Sequence, residues 1–210
     1  MKITLTDAGK RFNRDWIFRH LSYEFSSQHH YAITGPNGSG KSTLLQVIAG
    51  AIGISEGLVS YEQQATAASS TAIPPEKAYH YLSLSAPYLE LIEEMTATEF
   101  LQFHHSFKPF LPSHPIPNIL STVGLESAAR KQIRFFSSGM KQRMKLAQAL
   151  FSDTSVILLD EPCTNLDAEG IALYQRLIRE YGAGRLIIVS SNDRQEYDFC
   201  EKVIDILEYK

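Results

Sequence analysis

Short apolar runs, each closed off by polar or small residues, recur along the chain and set its elements. Residues 2–6 alternate apolar and polar positions, and residues 16–25 hold dispersed apolar side chains. Residues 31–34 and 57–61 are short apolar-rich runs, and all four segments read as strands. Residues 42–49 place Leu44, Leu45, Val47 and Ile48 at helical spacing and stop at Gly50. Residues 63–77, QQATAASSTAIPPEK, are small and polar and end in two prolines, which predicts an exposed loop. From residue 87 to 151 the pattern is mainly helical. One helix begins near residues 98–103, with Thr96 or Thr98 as its N-cap. Pro109, Pro112, Pro115 and Pro117 exclude helix interior over 108–117, so that stretch reads as a helix-to-helix connector. Helix resumes over 118–123 and stops at Gly124. Residues 141–151 form a further helix, with Ser137 or Ser138 as its N-cap. Beyond residue 155 the pattern is α/β. Residues 156–159 and 186–189 are continuous apolar strands, and 168–181 is an amphipathic helix ended by Gly182 and Gly184. Unbroken apolar runs of this kind suit a parallel sheet covered on both faces.

Between the strand at 31–34 and the helix at 42–49 lies GPNGSGKST: Gly35, Pro36, Asn37, Gly38, Ser39, Gly40, Lys41, Ser42 and Thr43. It satisfies the phosphate-loop pattern G-x-x-x-x-G-K-[ST], in the strand-then-helix context that the pattern requires. Glycines let the backbone wrap closely, so that N–H groups point inward at phosphate oxygens. Lys41 adds positive charge at the β- and γ-phosphates, and Ser42 offers a hydroxyl to Mg²⁺. A glycine-rich turn with no ligand is the competing reading, and the flanking strand and helix weigh against it.

Two further motifs follow. The apolar run at 156–159 ends in Asp160 and Glu161, which a parallel strand delivers to the carboxyl edge of its sheet, where ligands bind. There Asp160 is placed to hold Mg²⁺, directly or through water, and Glu161 to orient or deprotonate an attacking water. Upstream, FSSGM (Phe136 to Met140) opens a helix whose free N–H groups and dipole suit a phosphate.

Composition adds constraints. The 210 residues, 44% hydrophobic and 20% charged, fit one domain, or one domain with an inserted lobe. A net charge of −3 gives no electrostatic case for nucleic acid. Cys163 and Cys200 cannot build a disulfide framework, which points to a reducing compartment. The first residues lack the apolar stretch of a signal peptide, and no run approaches a membrane span. The pairs His29–His30 and His104–His105 read as surface or partly packed residues, and Cys163 as a packed thiol.

GPNGSGKST, FSSGMKQR, VILLDEP and Thr164-Asn165-Leu166-Asp167, in this order over nearly the whole chain, resemble the ATP-binding subunit of ATP-binding-cassette (ABC) proteins. The resemblance implies an α/β phosphate-loop NTPase with a mostly parallel core sheet, an antiparallel N-terminal part and an inserted helical lobe at 87–151. It implies that Phe12, 23 residues upstream of Gly35, stacks on adenine. It gives Ser42 and Asp160 to the metal, Glu161 to the catalytic base, and Asn192 to the position of the switch histidine. Ser137, Ser138, Gly139 and Asp167 would meet ATP held by a second copy. ATP and Mg²⁺ are the implied ligands. The implied partners are a second copy of the chain and a separate integral-membrane permease docked on the helical lobe, with the chain cytoplasmic on the inner face of the membrane.

Three positions depart from the family pattern. Ser138 and Met140 replace a glycine and a glutamine of the signature. No glutamine follows the strand near residues 81–85, where Ser85 or Ala86 takes its place. Asn192 can donate a hydrogen bond but cannot carry a proton. The expectation is ATP hydrolysis that is slow yet still needs Glu161. The alternatives are a soluble ABC ATPase without a transport role and a weakly hydrolysing regulatory module.

Overall fold

The computed structural model describes residues 1–66 and 69–210, and it divides the apolar runs between two sheets. In chain order the elements are β1 (Lys2–Phe12), β2 (Asp15–Ser26), β3 (His30–Thr34), α1 (Lys41–Ile48), β4 (Glu56–Thr66), β5 (Ser69–Ile73) and β6 (Leu82–Ser85). They continue as α2 (Ala97–Phe107), α3 (Ile116–Thr122), α4 (Ser138–Phe151), β7 (Val156–Asp160), α5 (Ala168–Tyr181), β8 (Leu186–Ser190), α6 (Arg194–Tyr197) and β9 (Lys202–Asp205). An antiparallel sheet runs β2-β1-β4-β5, and a parallel sheet runs β6-β7-β8-β3-β9.

The parallel sheet explains its own sequence. Along β7 and β8 every residue is buried, and the side chains alternate between two cores. Val156, Leu158, Leu186 and Ile188 join α1 and the antiparallel sheet on one side; Ile157, Leu159, Ile187 and Val189 join α4, α5 and the helices after β6 on the other. With both faces covered there is no polar face to alternate with, and the runs read as unbroken. β3 lies between β8 and β9, so the loop leaving Thr34 emerges beside the ends of β7 and β8 at the carboxyl edge.

One expectation is overturned. Most of residues 63–77 is not loop. β4 continues to Thr66 and pairs with β5, Tyr61 opposite Ile73 and Gln63 opposite Thr71, and a 3₁₀ helix follows over Pro75–Tyr81. The part of the expected loop at residues 67–68 lies outside the described residues. β5 is an edge strand held by main-chain bonds, which Ser, Thr and Ala accept without apolar alternation. Among the described side chains of β4 and β5, only Tyr61 and Ile73 are buried in the core.

The helices follow their caps. Thr96 makes a capping box with Glu99 at the start of α2. α3 starts two residues earlier than the sequence suggests: Pro117 stands in its first turn, where a missing N–H costs nothing. Buried Arg185, ahead of β8, ties the elements together. It donates to the carbonyls of Thr154, Leu150 and Ser152 at 2.7 Å each and to Thr154 Oγ1 at 2.8 Å.

Candidate active site

The phosphate loop spans the gap between β3 and α1. Gly35, Gly38 and Gly40 have φ of +139°, +77° and +100°, a region that side chains rarely enter. Gly40 has a second constraint, since a Cβ there would lie 2.2 Å from Ile17 Cγ2. As the N-cap of α1 it offers no side chain to the helix N–H groups, which leaves them for a ligand. Lys41, 5% exposed, donates Nζ–H bonds to the carbonyls of Gly35 (2.7 Å) and Pro36 (3.2 Å). Ser39 is buried, and its Oγ has no hydrogen-bond partner among the described residues. Ser42 and Thr43 stand in the first turn of α1, both half-buried.

Register brings the acids to this loop. Asp160, the last residue of β7, lies opposite Ser190 of β8 and accepts a 2.6 Å bond from Ser190 Oγ. Asp160 is 2% exposed, and among the described residues no other hydrogen bond reaches its carboxylate. A buried carboxylate with one side-chain partner, and the Ser42 hydroxyl in the first turn of α1, are oxygen donors of the kind that suits a hard cation such as Mg²⁺. Glu161 turns out of the strand with φ +43°, and its N–H donates to the Ser190 carbonyl at 2.9 Å. Asn192 closes the site. Its Oδ1 accepts from Gly35 N at 3.2 Å, and its Nδ2 donates to Asn37 Oδ1 at 3.2 Å.

Where the family has its glutamine, Ser85 and Ala86 are both buried, and Ser85 Oγ also lacks a partner among the described residues. The next turn carries Tyr88. Its partial burial, with the Asp160 charge nearby and against the opposing effect of a hydrogen bond from Gln46, pushes the phenol up to about 12. Phe12 is no core aromatic. It ends β1 at a hairpin tip, 49% exposed, with Lys10 Nζ 4.9 Å from its ring centre.

The signature residues gather elsewhere. Ser137 is the N-cap of α4 and accepts from Met140 N at 3.2 Å. Asp167 caps α5, accepting from Gly170 N at 2.8 Å. Ser137, Ser138, Gly139 and Asp167 line one cleft of about 430 Å³ with Arg143 and Asn165. Gly139 allows a close approach there: a Cβ would come 3.2 Å from Asn165 O. No phosphate-loop residue lines this cleft. Of the expected site residues, the structure therefore joins the loop, Asp160, Glu161 and Asn192 at one edge, and the four signature and capping residues at another. Sequence reading missed Ser190, Gln46, Gln142 and Glu196, whose roles arise from pairings across the fold. Both cysteines are buried, with thiols pushed up chiefly by burial, as suits packed thiols. His104 is packed too, its Nε2 2.9 Å from Ser152 Oγ.

Comparison with known proteins agrees with the fold. The family model described as "ABC transporter" matches residues 18–164. An uncharacterized ABC transporter ATP-binding protein of Bacillus subtilis, YybJ, is 28% identical over 97% of this chain and 92% of its own length. The cytochrome c biogenesis ATP-binding export protein CcmA of Agrobacterium fabrum is 30% identical, over 91% and 89%. Among solved structures, a putative ABC transporter ATP-binding protein from Pyrococcus furiosus superposes over the full length of both chains with a TM-score of 0.83 at 18% identity. A dimeric ATP-binding cassette, MJ0796, bound to ADP and Pi, superposes at 0.81 over 97% and 93%. The chain belongs to the ABC transporter family, as one of its ATP-binding proteins.

Proposed function

We propose that two copies of this chain clasp two ATP molecules head to tail, hydrolyse them, and pass the closing and opening motion to a separate membrane permease. The observation that carries this reading is the split between two half-sites. Phosphate loop, acids and Asn192 meet at the carboxyl edge of the parallel sheet, while Ser137, Gly139 and Asp167 line a different cleft of the same chain. A second copy, turned round, would complete each half. The MJ0796 cassette is dimeric with ADP and Pi bound, which supports a pair of copies.

The chemistry is phosphoryl transfer to water. The water oxygen forms a bond to the γ-phosphorus, the bond from that phosphorus to the β-bridging oxygen breaks, and ADP leaves with the electron pair. Glu161 takes the proton of the attacking water, and the phosphate is released. Backbone N–H groups of the loop and the Lys41 ammonium stabilise the charge on the phosphate oxygens. Ser42 and Asp160 would hold Mg²⁺, whose charge offsets that of the β- and γ-phosphates. Asn192 donates toward the γ-phosphate without storing a proton, which favours slow turnover.

A cleft of about 710 Å³ supports docking of the permease on the helical lobe at 87–151. Leu89, Glu90, Ile92 and Glu94 line it, with Glu93 ion-paired to Lys141. Its wall is the segment after β6, held to α4 by Lys145 Nζ bonds to the carbonyls of Ala86 (3.2 Å) and Pro87 (2.9 Å). Tyr88, in the same segment, feels the Asp160 charge. Movement at the acids would thus reach the cleft. The CcmA relatives are named as export proteins, which favours export as the direction.

ATP turnover tests the reading. Glu161→Gln should bind ATP like the wild type and turn over at least about a hundredfold more slowly. Equal rates for the two would refute it.

A further inference from the structure

The turn that follows Glu161 is held from two sides by residues outside the motifs. Glu161 has a left-handed backbone, φ +43°, which a non-glycine residue keeps only where its surroundings enforce it. The Pro162 carbonyl accepts from Gln142 Nε2 at 2.7 Å. One residue on, Cys163 N donates to Glu196 Oε1 at 2.7 Å. Both clamping side chains are 4% exposed. Gln142 lies on α4, the helix that Ser137 caps. Glu196 lies on α6, four residues after Asn192, and its N–H donates to the Asp193 carbonyl at 3.0 Å. Tyr174 Oη donates to the Glu196 carbonyl at 2.7 Å and fixes this short helix to α5.

A carboxylate this deeply buried is costly. Burial raises its proton affinity, the Ser191 and Cys163 hydrogen bonds oppose that, and the charges of Asp193 and Glu161 add to it. An apolar side chain of the same length would fill the space without that cost.

We propose that Glu196 and Gln142 are positioning residues for hydrolysis: together they fix the Glu161–Pro162–Cys163 turn, and Glu196 ties that turn to the Asn192 segment bonded to the phosphate loop. This rests on the reading of Glu161 as the base. Contact at Gly35 and Asn37 passes through Asn192 to the Asp193 carbonyl, which accepts from Glu196 N at 3.0 Å, and from the Glu196 carboxylate to the backbone two residues beyond Glu161.

The test compares kcat, KM and equilibrium ATP binding of the full chain with those of Glu161→Gln, Glu196→Gln, Glu196→Met and Gln142→Met. Both Met variants should lose about tenfold or more in kcat, with ATP affinity within about threefold of wild type. Glu196→Gln keeps an acceptor for Cys163 N–H and should recover kcat to within about threefold. A role in packing alone would move affinity with kcat, or leave Gln no better than Met. Wild-type kcat in both Met variants overturns the proposal, and so does Glu196→Gln as slow as Glu196→Met. Should Glu196→Met lose ATP binding altogether, Gln142→Met and Glu196→Gln decide by the same criteria. Absence of wild-type turnover, or wild-type rate in Glu161→Gln, removes the reading of the base, and the proposal with it; that outcome is visible without the clamp variants.

Discussion

Residues that share a motif in the sequence do not all act by their own chemistry here. Asp160 and Glu161 were legible because an apolar strand ending in acids has one sensible place in a parallel sheet. Ser190, Gln142 and Glu196 were not. Their partners lie 30, 20 and 33 residues away, and only the closed fold joins them. His104 shows the same limit. Its sequence neighbourhood suggests a partly packed side chain, and the fold stacks it on Phe110 and lowers its pKa to about 4, by burial first and then by the charges of Lys108 and His105. Between pH 6.5 and 4 the unfolded chain takes up a proton at this site that the folded chain refuses. Stability is therefore lost as pH falls through that window, by about 2 kcal/mol at pH 5 for a shift of this size. Urea unfolding at pH 7 and pH 5 should show a smaller acid loss in His104→Gln than in wild type.

Elements were readable where burial is symmetric and unreadable where main-chain bonding does the work. β7 and β8 announce themselves as apolar runs because helices and a second sheet cover both faces. β5 carries Ser, Thr and Ala on an edge, and nothing in its side chains separates it from a loop. Arg185 is the counterpart in the interior, one side chain that joins three elements. Its guanidinium satisfies the carbonyls that end α4 and precede β7, and burial lowers its pKa to about 10. Arg185→Leu leaves those carbonyls buried and unpaired. It should destabilise the fold by about 3 kcal/mol or more, a large share of a typical total of about 5–15 kcal/mol, seen as a lower urea midpoint. ATP affinity measured below that midpoint should stay near wild type, because Arg185 touches no residue of the phosphate loop.

At the scale of the whole molecule, the fold separates two surfaces that the proposed function would bring together between copies. The Ser137 cap lines a cleft that contains no residue of the phosphate loop, and on the proposed reading a single copy would hold half of each site. Membership of the ABC transporter family was legible from the order of four short motifs. The division of labour between copies came only through that resemblance, since no sequence pattern states which cleft a helix cap will line. The account stands most directly on the mass of Glu161→Gln in solution, measured by light scattering with and without magnesium and ATP. The expected result is a monomer without nucleotide and a dimer with it, with Ser137→Arg in the same background restoring the monomer. A mass that ATP leaves unchanged, at a concentration where binding is saturated, would contradict it.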